Sequence, residues 1–159
     1  MSLVEAEILK MARAVQADEC QQSFYYFMQT FWSVIIPEEP VFNWHIEYLC
    51  NELQKLSYYI VNRLPKPYDV IINIPPGSTK TTLVTIMWPA WLWTQDQTIR
   101  IISNSYSGDL SIEHASKSKD IITSDLYRLL FPEIIIRRDK SGKGSYENTK
   151  KGARYSTST

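Results

Sequence analysis

The apolar pattern of this chain changes period at Pro67, and that change decides the fold class. Up to residue 64 the large apolar residues recur every three or four positions, the spacing of a helix face. Residues 68–74 (YDVIINI) form instead a short, β-branched run bounded by proline on both sides, which is how a buried strand reads. Helical spacing returns at 81–93 (TTLVTIMWPAWLW), with Pro89 placed to kink or interrupt that helix. Residues 99–103 predict a second strand, and 110–122 and 124–130 predict two further helices. Residues 134–136 and 146–155 predict strands around a Lys/Gly-rich turn. Strand, loop, helix, strand, helix is the order of an α/β fold: a parallel sheet led by 68–74 and flanked by helices.

Upstream of Pro67 the pattern predicts helices over 4–17, 24–35 and 44–63, stopped by PEEP (37–40) and LPKP (64–67). The chain therefore divides into an N-terminal helical region, 1–64, and an α/β core, 65–159. The wide aromatic stripe of Phe24, Phe27, Met28, Phe31, Trp32 and Ile35 reads as core. With 159 residues and 13% aromatic side chains, the chain can bury such a core and is no disordered polypeptide. No run of 18 apolar residues is present, so no membrane span is expected. Glu5 and Glu7 stand where a secretory signal would be basic and then apolar. Cys20 and Cys50 are too few for a disulfide scaffold, so the sequence predicts a soluble intracellular protein. Its net charge of zero hides an asymmetry: residues 1–64 carry four basic and eight acidic side chains, residues 113–159 ten and six. The basic third can face nucleic acid, or it can be an ordinary solvated surface.

The segment 73–82 (NIPPGSTKTT) sits between the predicted strand and the apolar helix. A phosphate-binding loop needs backbone N–H groups curled around an anion, a helix N-terminus aimed at it, a lysine, and a hydroxyl for Mg²⁺. Lys80 and Thr81 supply the last two. In the pattern G-x-x-x-x-G-K-[ST], however, Ile74 and Thr79 stand at the two glycine positions, and Gly77 is the loop's one glycine. The same residues also fit a plain helix start, with Ser78 or Thr79 as N-cap and Lys80 solvated.

Residues 71–93 resemble the deviant Walker A region of tailed-bacteriophage terminase large subunits, the ATP-driven motors that package DNA. Residues 42–54 are similar to the family's helix near the adenine, and 105–111, 116–124 and 129–132 to its segment after the second strand. Residues 146–149 and 152–157 resemble the approach to its Walker B strand. The resemblance covers about 24–159 and implies the first part of a P-loop NTPase-type domain, ending before Walker B. It implies ATP and Mg²⁺ as cofactors, with Pro76, Gly77, Ser78, Thr79, Lys80, Thr81 and Thr82 forming the loop. Lys80 would contact the β- and γ-phosphates, Thr81 would ligate Mg²⁺, and the Cβ of Thr79 would restrict how tightly the loop wraps. Trp44 and His45 are candidates for the adenine edge; as residues they also fit a core tryptophan and a structural histidine. Lys119, with Lys117 nearby, stands where the family places an arginine finger, although lysine lacks the bidentate fork. The implied partners are double-stranded viral DNA, a portal protein, a small terminase subunit and further copies in a ring, in the host bacterial cytoplasm.

Hydrolysis also needs an acidic pair after an apolar strand. Downstream of Lys80 no run of four apolar residues is followed by Asp or Glu. The sequence thus predicts an incomplete ATPase domain that binds nucleotide at best, without turnover. A non-catalytic nucleotide- or DNA-binding fragment and a piece of another P-loop enzyme, such as a helicase, are the alternatives.

Overall fold

The computed structural model describes residues 2–159. Three helices come first: α1 (Leu3–Gln22), α2 (Phe24–Ile35) and α3 (Trp44–Val61). Ser2 starts α1 through a reciprocal capping box with Glu5, and Ser23 caps α2 on the Tyr26 N–H. A π-helical segment (Thr82–Met87) then runs into α4 (Trp88–Gln95), followed by β1 (Arg100–Ser105), α5 (Gly108–Thr123) and α6 (Asp125–Leu130). The chain closes with β2 (Ile136–Ser141), β3 (Ser145–Asn148) and β4 (Ala153–Ser158).

The sheet has the order β1-β4-β3-β2 and is mixed. Only β1 and β4 run parallel, in register from Arg100 against Ala153 to Ser105 against Ser158. The β3 strand is antiparallel to both β4 and β2. Two expectations are corrected here. The sheet is not parallel throughout, because short turns at 142–144 and 149–152 join β2 to β3 and β3 to β4, and such links reverse direction. Residues 68–74 belong to no helix and no strand, so the sheet is led by β1 instead. A β-branched run favours extended backbone, but strand identity needs a partner to share ladder hydrogen bonds with, and this segment pairs with no strand. Its Ile72 and Ile74 side chains lie half-buried towards α3, while Ile71 is 84% exposed.

Residues 134–136 likewise do not form a strand of their own: Ile134 is a buried plug, and β2 starts only at Ile136. The Tyr146 region is strand as expected, interrupted by the turn at 149–152. Pro89 interrupts its helix by falling in the first turn of α4, where its missing N–H costs least, behind the widened π-helical turn. The first helix runs on to Gln22, past the 4–17 expected from its apolar spacing, and Leu3, Val4, Ile8, Met11 and Val15 lie on its exposed surface.

One apolar core joins the N-terminal helices to the sheet-bearing part. Phe27 and Phe31 pack at a tilt with centroids 4.4 Å apart, Phe31 meets Tyr127 at 5.6 Å, and Tyr127 meets Phe131 at 5.0 Å. Tryptophan N–H groups tie elements together: Trp91 donates to the Cys20 carbonyl, Trp88 to Ser57 Oγ, and Trp93 to the Ile99 carbonyl. Cys20 and Cys50 are both buried free thiols, and burial pushes them up to about 11 and about 12. Among the described residues, no helix is long and apolar enough to cross a membrane.

The turn between β3 and β4 is built on Asn148. Its Oδ1 accepts from the Lys150 and Gly152 N–H groups, both at 2.9 Å, and its Nδ2 donates to the Gln97 carbonyl at 2.7 Å. Gly152 fits there because a Cβ would stand 2.0 Å from the Gln97 oxygen and 2.6 Å from Asn148 Nδ2. Gly152→Ala is therefore expected to cost about 1–3 kcal/mol or more, as overpacking does. The midpoint of thermal unfolding should fall by about 2–4 °C per kcal/mol. An unchanged midpoint would show that this turn yields freely.

Candidate nucleotide-binding loop

Residues 75–78 (PPGS) make a turn with a proline second and a glycine third. Ser78 donates its N–H to the Pro75 carbonyl at 3.3 Å, and Gly77 has φ +81°. That is the sequence and backbone pattern of a type II turn, which needs left-handed backbone at its third residue. Thr79 follows, also left-handed, with φ +65°. A β-branched residue rarely adopts that conformation, which costs about 1–2 kcal/mol. Lys80 opens the helix, and the first backbone bond runs from the Leu83 N–H to the Thr79 carbonyl at 3.0 Å.

This geometry has chemical content. The amides just inside a helix start have no partner within the helix. Left-handed residues alternating with ordinary ones turn successive N–H groups to one side, a concavity that suits anions. No side-chain cap from Thr81 closes the start of the π-helical segment. Among the described residues, Lys80 enters no ion pair. Residues 75–82 line a pocket of about 370 Å³, closed on its other side by Trp32 and Ile36. The whole proposed loop, Pro76 to Thr82, is thus brought together, and Thr79 makes its turn despite its Cβ. Trp32 of α2 reads as core from its spacing, and Ile36 is the residue that ends that helix; their place beside the loop needed the tertiary contact.

Trp44 and His45 lie elsewhere. They open α3 and line a second pocket of about 410 Å³ with Tyr48, Glu52 and residues of the 68–74 segment. The two pockets share no lining residue, although they adjoin along the chain at Ile74 and Pro75. Trp44 is 79% exposed, so it is not a core residue; its ring stands 6.1 Å from His45 and 6.5 Å from Tyr48. Lys119 is held by the β2–β3 turn: its Nζ donates to the Ser141 carbonyl at 2.8 Å, and it lines neither pocket. Lys117 pairs with Glu113 one turn back on α5.

Behind the loop, the π-helical segment packs against α5, and Arg154 of β4 reaches it from the sheet. Arg154 is 1% exposed. Its Nη2 donates to the Thr85 carbonyl at 2.7 Å and to Ser103 Oγ at 3.2 Å. Its Nε and Nη1 have no partner, nor do the nearby Tyr146 hydroxyl and Ser118 Oγ. Burial pushes the guanidinium pKa down, and no carboxylate offsets it. Nothing in the sequence marks Arg154 among its basic neighbours as an interior residue.

The basic stretch is less free than its composition suggests. Arg137 pairs with Asp139, and Lys140 with Glu147 at 2.8 Å. Arg138, Lys143, Lys150 and Lys151 remain exposed. Among the described residues, no group of three His, Cys, Asp or Glu side chains could hold a metal ion. No family model, curated protein or solved structure matches this chain.

Proposed function

We propose that this chain is the nucleotide-binding front of an ATP-driven DNA-packaging motor of the terminase large-subunit kind, with a P-loop NTPase-type fold. The observation that carries the reading is the left-handed pair Gly77 and Thr79 leading straight into Lys80 at the mouth of the loop pocket. Backbone strain at a β-branched residue persists where the surroundings hold it in place, and it gathers at ligand-binding loops. Loop amides and Lys80 fit a triphosphate: the amides orient it and the ammonium neutralises it. For Mg²⁺ the chain offers the Thr81 hydroxyl, and the remaining oxygens fit phosphate and water, which is how this cation is commonly held. When bound, Mg²⁺ neutralises charge on the phosphates; the chain's own residues hold and orient them.

The acidic pair that would position a water is missing from the stretch downstream of Lys80, so the proposed activity of these 159 residues is binding without turnover. Titration calorimetry with Mg-ATP, beside a phosphate-release assay, tests this. Weak binding with background release is expected. Sustained hydrolysis, lost in Lys80→Ala, would overturn the no-turnover reading and give a carboxylate such as Asp120 or Glu133 the work. Absence of any nucleotide binding would overturn the reading of the loop.

Duplex DNA is the proposed polymer partner, through Arg138, Lys143, Lys150 and Lys151. Portal protein, small terminase subunit and sister copies are the proposed protein partners, in the host bacterial cytoplasm. DNA affinity should be sequence-independent and fall with salt by a log–log slope of about −0.9 per phosphate neutralised. A slope near zero would remove DNA from this surface.

A further inference from the structure

We propose that Arg154 is a positioning residue for the phosphate-binding loop: its guanidinium supplies the hydrogen bond that Pro89 withholds, and so fixes the register of the helix behind Lys80 and Thr81. The proposal rests on the nucleotide reading of the loop. In an α-helix the carbonyl of Thr85 would accept from the residue four positions on, which is Pro89. Proline has no N–H, and its ring crowds that same carbonyl. The chain answers by widening: residues Thr82–Met87 are π-helical, and Trp88 donates to Leu83, five positions back. Arg154 Nη2 then meets the Thr85 carbonyl at 2.7 Å and Ser103 Oγ at 3.2 Å, tying the widened turn to β4 and β1 together.

Two features separate this arrangement from ordinary packing. First, the interior guanidinium has two unpartnered nitrogens and no carboxylate beside it, so its burial opposes folding. A methionine of similar length would pack there more favourably, so stability does not account for an arginine. Second, the widened turn lies directly between the loop and the buried surface of α4. Each residue of an α-helix advances the chain by about 100°, so closing the turn would rotate Lys80 and Thr81 by about that angle relative to Trp91 and Trp93. The direction in which the loop presents its lysine and hydroxyl therefore depends on the register at Thr85.

The test uses Arg154→Met, Arg154→Lys and Pro89→Ala in the full chain, with Mg-ATP as the calorimetric probe and amide hydrogen exchange over 82–88 as a readout that needs no nucleotide. Arg154→Met is expected to keep or raise the thermal midpoint, to speed exchange over 82–88, and to weaken Mg-ATP about tenfold or more. Arg154→Lys, which keeps one donor on a long stem, should recover most of both. Pro89→Ala returns a backbone donor to Thr85; it should raise the midpoint and still lower affinity, since it favours the closed register. Unchanged exchange and affinity in Arg154→Met would overturn the proposal. So would a large fall in midpoint in both Arg154 variants, which would make the residue a plain structural one. If the unaltered chain fails to bind Mg-ATP, the nucleotide reading falls, and the exchange data alone decide whether Arg154 holds the register.

Discussion

Lys80→Ala should remove most of the Mg-ATP affinity of this chain, weakening it about 10- to 150-fold. A hydrogen bond to a charged group contributes about 1.5–3 kcal/mol, and each 1.4 kcal/mol is about a factor of ten. The effect should be large because no acidic side chain among the described residues pairs with Lys80, so its charge is free for an anion. Thr81→Ala should weaken only the Mg²⁺-dependent part, so its penalty should vanish when the titration is repeated with EDTA. The thermal midpoint of Lys80→Ala should stay where it was, since the ammonium makes no ion pair whose loss could destabilise the fold. Wild-type affinity in Lys80→Ala would mean that the loop amides act alone or that the anion binds elsewhere.

Tyr127→Ala should lower stability by about 3–5 kcal/mol, the range for emptying a large aromatic site. For a chain of this size that is a fall of about 6–20 °C in midpoint. Tyr127 is fully buried, packs at a tilt between Phe31 and Phe131, and donates its hydroxyl to the Ala90 carbonyl at 2.9 Å. It therefore joins α2, α4 and α6, and its loss loosens the N-terminal helices and the sheet-bearing part at once. Tyr127→Phe keeps the ring and should cost about 1–2 kcal/mol, leaving the Ala90 carbonyl without this donor. A single unfolding transition is expected for both variants. Two separated transitions would show that residues 1–64 and 65–159 melt independently despite their shared core.

Helix positions were legible because they rest on local period: Phe24, Phe27 and Phe31, or Ile46, Leu49 and Leu53, announce a buried face by spacing alone. The caps at Ser107 and Ser124, which accept from the Leu110 and Tyr127 N–H groups, came from the structure and not from the spacing. Sheet membership was less legible. Residues 68–74 carry every compositional mark of a strand, yet pairing depends on what lies alongside, which no local pattern encodes. The loop was found through Gly77, Lys80 and Thr81, whose chemistry is local. Its Thr79 looked like an obstacle because Cβ sterics oppose left-handed backbone; the fold imposes that backbone all the same. Trp32, Ile36 and Arg154 were illegible, since an aromatic stripe and a basic tail hide which side chain turns towards a distant carbonyl or pocket.

The unpaired segment 68–74 carries a consequence for the behaviour of concentrated solutions. Its open amides and carbonyls and the bare Ile71 side chain make a template on which the same segment of another molecule could add, strand on strand, as in cross-β assembly. The prolines at 65, 67, 75 and 76 fence this template on both flanks, because none can donate to a growing ladder. Lys66 and Asp69, joined as an ion pair, place charge at its entrance. These guards limit any such ladder to the seven residues between Pro67 and Pro75. Replacing the flanking prolines would lengthen it, and with it the tendency of the protein to precipitate.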